Sequence, residues 1–145
     1  WAGDAVQIAF DTANDALPGQ GYNYNDYELG VALTAKGPYS YMWHGNQSAE
    51  QAVSGIKTDC RRNGNTTCYR IVLPWSFLKV APASGKSIRF NVTVMDNDGN
   101  GIEHFLQISD GLAGNMGKQP CLYRDLILFK EKNSSTRFMQ SATEA

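Results

Sequence analysis

The segment from residue 89 to 101 joins an alternating strand to an acidic turn, and it constrains the fold more than any other stretch. Phe90, Val92 and Val94 recur with a period of two, so one face of this strand is buried and the other is polar. Residues 96–101 are two Asp, two Asn and two Gly, a composition typical of a tight turn rich in oxygen ligands. This combination favours an all-β extracellular binding module over an enzyme built around a buried nucleophile.

Size and charge narrow the class of protein further. A chain of 145 residues suits a single domain. Its formal net charge is −1, from 13 basic and 14 acidic residues, which provides no field to attract nucleic acid or an anionic membrane. No apolar run approaches the roughly 18 residues of a membrane span. Nucleic-acid binding and a membrane span are therefore not expected.

Short alternating segments separated by turn residues recur along the chain. They are residues 4–11, 27–34, 39–44, 67–73, 89–95, 102–109 and 122–130. This spacing predicts an antiparallel β-sandwich of the jelly-roll or immunoglobulin-like kind over residues 1–130. Residues 74–78 predict one helical turn, since proline is tolerated at its start. Residues 131–145 are polar and aperiodic, and we interpret them as a tail or linker.

The cysteines and sequons favour secretion. An Asn-Gly turn signal lies between Cys60 and Cys68, and a three-residue loop at 63–65 would place the two cysteines opposite each other, within reach of a disulfide. Cys121 is then left over as a buried structural residue. Four N-x-[ST] sequons predict glycosylation of an exported chain, at Asn46, Asn65, Asn91 and Asn133.

Several motifs resemble those of family 9 carbohydrate-binding modules. Residues 1–8, Trp-Ala-Gly-Asp-Ala-Val-Gln-Ile, are similar to that family's Trp-x-Gly-Asp-x-Val-(Gln/Glu)-Ile signature. The motifs at 26–28 (Asp-Tyr-Glu), 74–76 (Pro-Trp-Ser), 90–92 (Phe-Asn-Val) and 96–99 (Asp-Asn-Asp-Gly) follow in the family's order. The resemblance covers most of residues 1–130.

The resemblance implies a β-sandwich related to the DOMON superfamily, in a secreted protein and linked to a glycoside hydrolase or to neighbouring subunits. Such modules bind polysaccharide or oligosaccharide through aromatic platforms and carry structural calcium. Family members have further opening strands before the tryptophan motif. Either those N-terminal strands are missing from this sequence, or another segment completes the sheet. The aromatic pair that holds a sugar in the family has no residue-by-residue match here.

The acidic turn has two interpretations. Asp96, Asp98 and Asn100 occupy the first, third and fifth positions of an EF-hand-like loop, with glycine at the sixth. The twelfth position is Gln107 instead of glutamate, and a strand precedes the loop, so an EF-hand is excluded. A looser calcium site is one interpretation, and a β-hairpin closed by Asx side chains is the other.

Aromatic side chains near amides are the candidate sugar platform. Tyr24 lies in an Asn-rich loop, and Tyr41, Trp43 and His44 lie on a short aromatic strand. Tyr39, Tyr41 and Trp43 share one face of that strand, which fits either a binding platform or a core stripe. Binding of glycan, with chain ends as the expected target, is the function that we predict from these residues.

Catalysis is not expected, because the chain has two histidines and lacks a metalloprotease helix, a nucleophile elbow and a phosphate loop. Two other functions stay open. One is a b-type haem site between Met and His ligands, for which the candidates are Met42, Met95, Met116, His44 and His104. The other is a structural or adhesive domain of an extracellular assembly.

Overall fold

The computed structural model describes residues 4–46, 54–97, 101, 104–114 and 117–130. Within these ranges the regular structure is predominantly β. The strands are β1 (Ala5–Asp11), β2 (Asp26–Thr34), β3 (Gly37–His44), β4 (Lys57–Asn63), β5 (Thr66–Val72), β6 (Ser87–Asp96), β7 (His104–Gln107) and β8 (Arg124–Ile127). One 3-10 turn, Pro120–Leu122, precedes the last strand.

Six strands form one antiparallel sheet in the order β3-β2-β1-β6-β7, with β8 also paired to β6. The strand β1 is central because apolar side chains alternate along it and along both of its neighbours. Ile8, for example, faces Leu29 on β2 and Val92 on β6. We call the face that carries Ile8 the inner face, and the opposite face the outer face. Every residue of β1 is buried, which shows that both faces are covered at the centre of the sheet.

The second layer packs on the inner face. It consists of the two-stranded antiparallel sheet β4-β5 and the turn that follows it. Cys60, Tyr69 and Phe77 from this layer contact the core that surrounds Leu29. The amide of Phe77 donates to the carbonyl of Pro74 at 2.9 Å, so the predicted turn at 74–78 is present. Complete burial of a side chain such as Leu29 stabilises the fold by about 1.5–3 kcal/mol.

The prediction of an all-β antiparallel sandwich is confirmed, although the two layers are unequal. The strand β4 lies over β2 and β3, so the second layer covers that half of the inner face. On the other half, the inner-face side chains of Val94, Leu106 and Leu126 are exposed. Among the described residues, this half of the inner face has no second layer over its outermost apolar side chains.

The predicted Cys60–Cys68 disulfide is wrong, and both thiols are free. The hairpin has a two-residue turn instead of a three-residue loop, with Gly64 at φ 56°, as a primed turn requires. Cys60 therefore pairs with Tyr69, and Cys68 pairs with Arg61. Because successive residues of a strand face opposite sides, Cys60 is buried against the core and Cys68 is exposed on the other side.

Part of the outer face is covered by the glycine-rich segment between β7 and β8, which we call the covering loop (residues 108–123, described except for 115 and 116). Leu112 and Tyr123 of this loop pack on Ala9 at the centre of the sheet. Within the loop, the amide of Gln119 donates to the carbonyl of Gly111 at 2.9 Å. Gly111 has φ 90°, and a side chain there would overlap the carbonyl of Gln119, so the loop closes only with glycine at this position.

The last strand of the described chain is shorter than the sequence predicts. The closing strand was expected over 122–130, but β8 spans Arg124–Ile127 because Pro120 starts a 3-10 turn. The predicted tail at 131–145 lies outside the described residues. In the part of the chain that the structure describes, no helix is long and apolar enough to cross a membrane.

Candidate functional site

Three aromatic side chains project from the outer face of β3. Tyr39 and Tyr41 lie opposite Ala32 and Gly30 of β2, and Trp43 follows at a bulge where the β2–β3 register shifts. The rings of Tyr41 and Trp43 meet edge to face, with centroids 5.4 Å apart. All three side chains are exposed, which is the property that a binding platform needs and a core stripe lacks.

A groove of about 350 Å³ runs beside these rings. Its floor is low because the neighbouring positions on β1 and β2 carry small residues, Ala5, Gly30 and Ala32. The indole of Trp43 lies against the backbone of Gly30, in the space that a side chain would fill. We call this feature the aromatic groove, lined by Ala5, Val6, Gln7, Gly30, Val31, Ala32, Tyr39, Tyr41, Trp43 and Met95.

The aromatic groove is uncharged, since none of the described residues that line it is Asp, Glu, Lys, Arg or His. Its polar groups are the hydroxyls of Tyr39 and Tyr41, the indole N–H of Trp43 and the amide of Gln7. Gln7 lies on β1 at the floor and is only 4% exposed. The groove therefore combines aromatic surface with a few neutral hydrogen-bonding groups, as small-molecule sites commonly do.

A buried polar network connects this floor to the covering loop. The amide nitrogen of Gln7 donates to Oε1 of Glu28, and the same oxygen accepts from Nζ of Lys118 at 2.8 Å. Lys118 also donates to the carbonyl of Leu112 at 2.8 Å. Glu28 is buried, so its charge depends on these partners for compensation. The network holds the loop against the outer face, next to the groove.

Two tyrosines extend this network. The hydroxyls of Tyr22 and Tyr123 lie 3.1 Å apart. Burial raises the pKa of both phenols, and the nearby Glu28 raises them further. Both hydroxyls therefore stay protonated and can act as hydrogen-bond donors beside the carboxylate.

The structure separates the four predicted sugar-binding residues. Tyr41 and Trp43 line the aromatic groove. His44 does not; its ring stacks on Tyr22 at 4.7 Å, and its Nε2 lies 2.8 Å from the carbonyl oxygen of Asn23. Tyr24 is 76% exposed in the loop before β2 and is not among the groove-lining residues.

Two important groove residues, Gln7 and Gly30, were not identified from the sequence. Gln7 gives a weak signal, because it is a polar residue in the middle of an otherwise apolar strand. Gly30 gives another, because glycine inside a strand often marks a close approach of another group. Neither signal indicates an aromatic partner, since that depends on the pairing of β1, β2 and β3.

The predicted calcium ligands are only partly described. Asp96 ends β6 with an exposed side chain, and Asp98 and Asn100 lie outside the described residues. The side chain of Asn97 accepts from the amide of Gly101 at 3.1 Å, as in a turn closed by an Asx side chain. Among the described residues no three His, Cys, Asp or Glu side chains form a metal-binding group. Because two of the three proposed ligands lie outside the described residues, the calcium site stays a prediction.

The four sequons fall in different environments. Asn46 and Asn65 are exposed. Asn91 is wholly buried, and its amide nitrogen donates to the carbonyls of Ser109 and Asp110, each at 2.9 Å. A glycan on Asn91 is incompatible with this fold, because it would replace one of those bonds and displace the covering loop. Asn133 lies outside the described residues.

The candidate haem ligands do not converge. Met42 points to the inner face of β3, whereas His44 lies on the other side of the sheet. Met95 lines the groove, and His104 lies in β7 at the opposite edge of the sheet from β3. Met116 lies outside the described residues. His44 and Met95 share the outer face, but they lie on β3 and β6 with β2 and β1 between them. Met42 and His104 are on strands at opposite edges of the sheet, so the described Met and His side chains form no close axial pair.

Comparisons with known proteins bear on the fold. No protein-family model matches the chain, and no curated protein matches it. Among solved structures, a family 9 carbohydrate-binding module from Caldicellulosiruptor kristjanssonii in complex with glucose aligns with a TM-score of 0.70 at 16% identity, covering 90% of this chain. A structure of such a module from the same organism in complex with cellotriose aligns with a TM-score of 0.66 at 18% identity, covering 92% of this chain.

These two structures show that the chain has the fold of family 9 carbohydrate-binding modules. The resemblance noted in the sequence is confirmed at that level. The chain spans 61% of the length of each of the two solved structures.

Proposed function

We propose that this chain is a non-catalytic carbohydrate-binding module that holds glycan in the aromatic groove. The observation that supports the proposal most is the row of Tyr39, Tyr41 and Trp43 beside a floor of small residues. The same fold binds glucose and cellotriose in the two similar structures, which adds support for a sugar as the ligand.

The chemistry of the groove suits a sugar ring. A pyranose presents C–H groups on its faces and hydroxyls around its edge, so an aromatic ring can pack on a face while polar groups bind the edge. The exposed rings of Tyr41 and Trp43 supply the first kind of contact. The amide of Gln7 and the tyrosine hydroxyls supply the second. Chain ends remain the expected target of this short groove.

Binding without catalysis is part of the proposal. Glycoside hydrolysis commonly uses two carboxyl groups on opposite sides of the scissile bond. Glu28, the carboxylate that accepts a hydrogen bond from the groove residue Gln7, is buried and engaged with Lys118. Such a group is not presented to a ligand as an acid or a nucleophile.

The proposal includes an extracellular setting, in which the module assists a linked glycoside hydrolase or neighbouring subunits. Among the described sequons, Asn46 and Asn65 are the accessible glycosylation sites. The proposal also includes calcium bound at the turn after β6. Removal of calcium by a chelator is expected to lower the melting temperature, and an unchanged melting temperature contradicts that component.

Calorimetric titration with cellotriose tests the proposed function. We expect Trp43→Ala to weaken binding by about 2 kcal/mol, or about 30-fold, as is usual for an aromatic anchor. Trp75→Ala is the matched control, because Trp75 is exposed to the same degree (39% against 40%) but lies outside the groove. Equal losses in the two variants, or no binding of any glycan by the wild type, would contradict the proposal.

A structural role in an assembly is a second candidate, favoured by the exposed apolar side chains on the inner face. Leu106 is 76% exposed beside Val94, on the half of the sheet that the second layer leaves uncovered. Such a surface suits contact with a neighbouring domain or subunit. Sedimentation of the wild type and of Leu106→Lys tests this role, and a monomer at all concentrations in both would contradict it.

A further inference from the structure

Gln7 has a fixed side-chain orientation at the floor of the aromatic groove. An ionised carboxylate only accepts hydrogen bonds, so the amide nitrogen of Gln7 must be the atom that faces Glu28. The carbonyl oxygen of the same amide then points away from Glu28. Among the described residues, the structure records no hydrogen bond to that oxygen, although Gln7 is only 4% exposed. A fixed and unused acceptor therefore lies at the floor.

The orientation of this amide is maintained from the covering loop. Lys118 lies 90 positions along the chain from Glu28 and neutralises it at 2.8 Å. The second bond of Lys118, to the carbonyl of Leu112, ties its ammonium group to the loop. Glu28 is thus held in place by the loop while it accepts from Gln7. Lys118 and Glu28 act on the groove only through Gln7, without lining it themselves.

We infer that Gln7 is the hydrogen-bonding specificity determinant of the aromatic groove, accepting one hydroxyl of a neutral sugar, and that Glu28 and Lys118 are its positioning residues. The inference deepens the proposed function and rests on it. The indole of Trp43 lies on Gly30, and Gly30 pairs with Gln7 on β1. A sugar ring packed on Trp43 therefore directs one edge toward Gln7. That edge hydroxyl is the donor that the amide oxygen lacks.

The same geometry selects the class of sugar. A carboxylated or sulfated sugar would lose its hydration in a groove whose described lining residues include no cation to compensate it. A neutral hexose or pentose loses only hydroxyl hydration, and Gln7 replaces part of it. Neutral glycans are therefore the ligand class, and uronates are rejected.

The experiment is a titration of glucose, its monodeoxy analogues and glucuronate against the wild type and Gln7→Met, which has a similar shape without the amide. We expect one deoxy analogue to bind the wild type about 3- to 10-fold more weakly than glucose, the usual worth of one hydrogen bond. In Gln7→Met that difference should disappear. Glucuronate should bind the wild type more weakly than glucose.

Lys118→Met and Lys118→Arg test the positioning role and also serve if Gln7→Met does not fold. Lys118→Met should reduce the discrimination between glucose and the deoxy analogue, whereas Lys118→Arg, which keeps the charge, should retain part of it. A loss of stability alone would not alter that ratio. Unchanged discrimination in Gln7→Met or in Lys118→Met overturns the inference and leaves the proposed function intact. Absence of any neutral-sugar binding by the wild type overturns both.

Discussion

The indole of Trp43 occupies the space that a side chain on Gly30 would fill. Trp43 belongs to β3 and Gly30 to β2, so the contact depends on the pairing of the two strands and on the bulge that precedes Leu29. The indole packs flat on the backbone of Gly30, and the absence of a side chain there makes the groove deeper. This contact sets the geometry of the proposed sugar platform.

A substitution at Gly30 should affect sugar binding. We expect Gly30→Ala to displace the indole, to change the tryptophan fluorescence of the free protein and to lower affinity for cellotriose by about tenfold, or about 1.4 kcal/mol. Gly21→Ala is the control, since a side chain there meets its nearest atom only at 4.0 Å. Wild-type fluorescence and affinity in Gly30→Ala would show that the contact is not required.

A buried hydroxyl on β6 should be replaceable with a gain in stability. Thr93 is fully buried, and its Oγ1 has no hydrogen-bond partner among the described residues. Thr93→Val removes an unsatisfied polar atom while keeping the shape, so we expect the free energy of unfolding to rise by about 1 kcal/mol. The contrasting variant is Thr12→Val, because Thr12 Oγ1 donates to the carbonyl of Asn25 at 2.8 Å. Urea denaturation should show opposite signs for the two, and destabilisation by both would refute the assignment.

The buried carboxyl of Asp26 should make stability depend on pH. Burial raises its pKa to about 6 from 3.8; a hydrogen bond from the amide of Asn23 opposes the shift, and Asp11 adds to it. Between these pH values the folded state binds more protons than the unfolded state, so stability falls as pH rises.

The loss is on the order of 2–3 kcal/mol and is complete above about pH 6, by the conversion of 1.36 kcal/mol per pKa unit. Asp26→Asn keeps an acceptor for the amide of Asn23 and has no charge to bury. Its free energy of unfolding should therefore change less across pH 4–7 than that of the wild type. Parallel pH profiles for the two proteins would contradict the raised pKa.

The two hairpin cysteines should react differently in the folded protein. Burial raises the pKa of the Cys60 thiol, whereas Cys68 is exposed on the opposite side of the hairpin. We expect iodoacetamide to alkylate Cys68 quickly and Cys60 only after unfolding, as mass spectrometry of peptides can measure. A reducing agent should leave the melting temperature unchanged. Recovery of a Cys60–Cys68 disulfide peptide from the native protein would show that the hairpin register differs from the one described.

The strands were predictable because their signal is local. Val6, Ile8 and Phe10 alternate within seven residues, and the buried side of β1 follows from that alternation alone. The hairpin shows the limit of such reasoning. A turn of two residues instead of three moves Cys68 from the position opposite Cys60 to the other face, and the sequence near Gly64 permits both turns.

The site was less predictable because it is built from contacts between distant segments. Tyr41 and Trp43 were identified because aromatic residues on one strand face are visible in the sequence. The role of Gln7 depends on Glu28, and that of Glu28 depends on Lys118, which is 90 positions away. Burial of Asn91 likewise depends on the covering loop, so the sequon alone gives no indication of it.

The most direct test of sugar binding in the aromatic groove is an NMR titration of the indole N–H signals with cellotriose. The signal of Trp43, assigned by its disappearance in Trp43→Phe, should shift progressively with ligand. The signal of Trp75, which lies outside the groove, should stay in place. A stationary Trp43 signal at saturating ligand, or shifts confined to Trp75, would contradict the account.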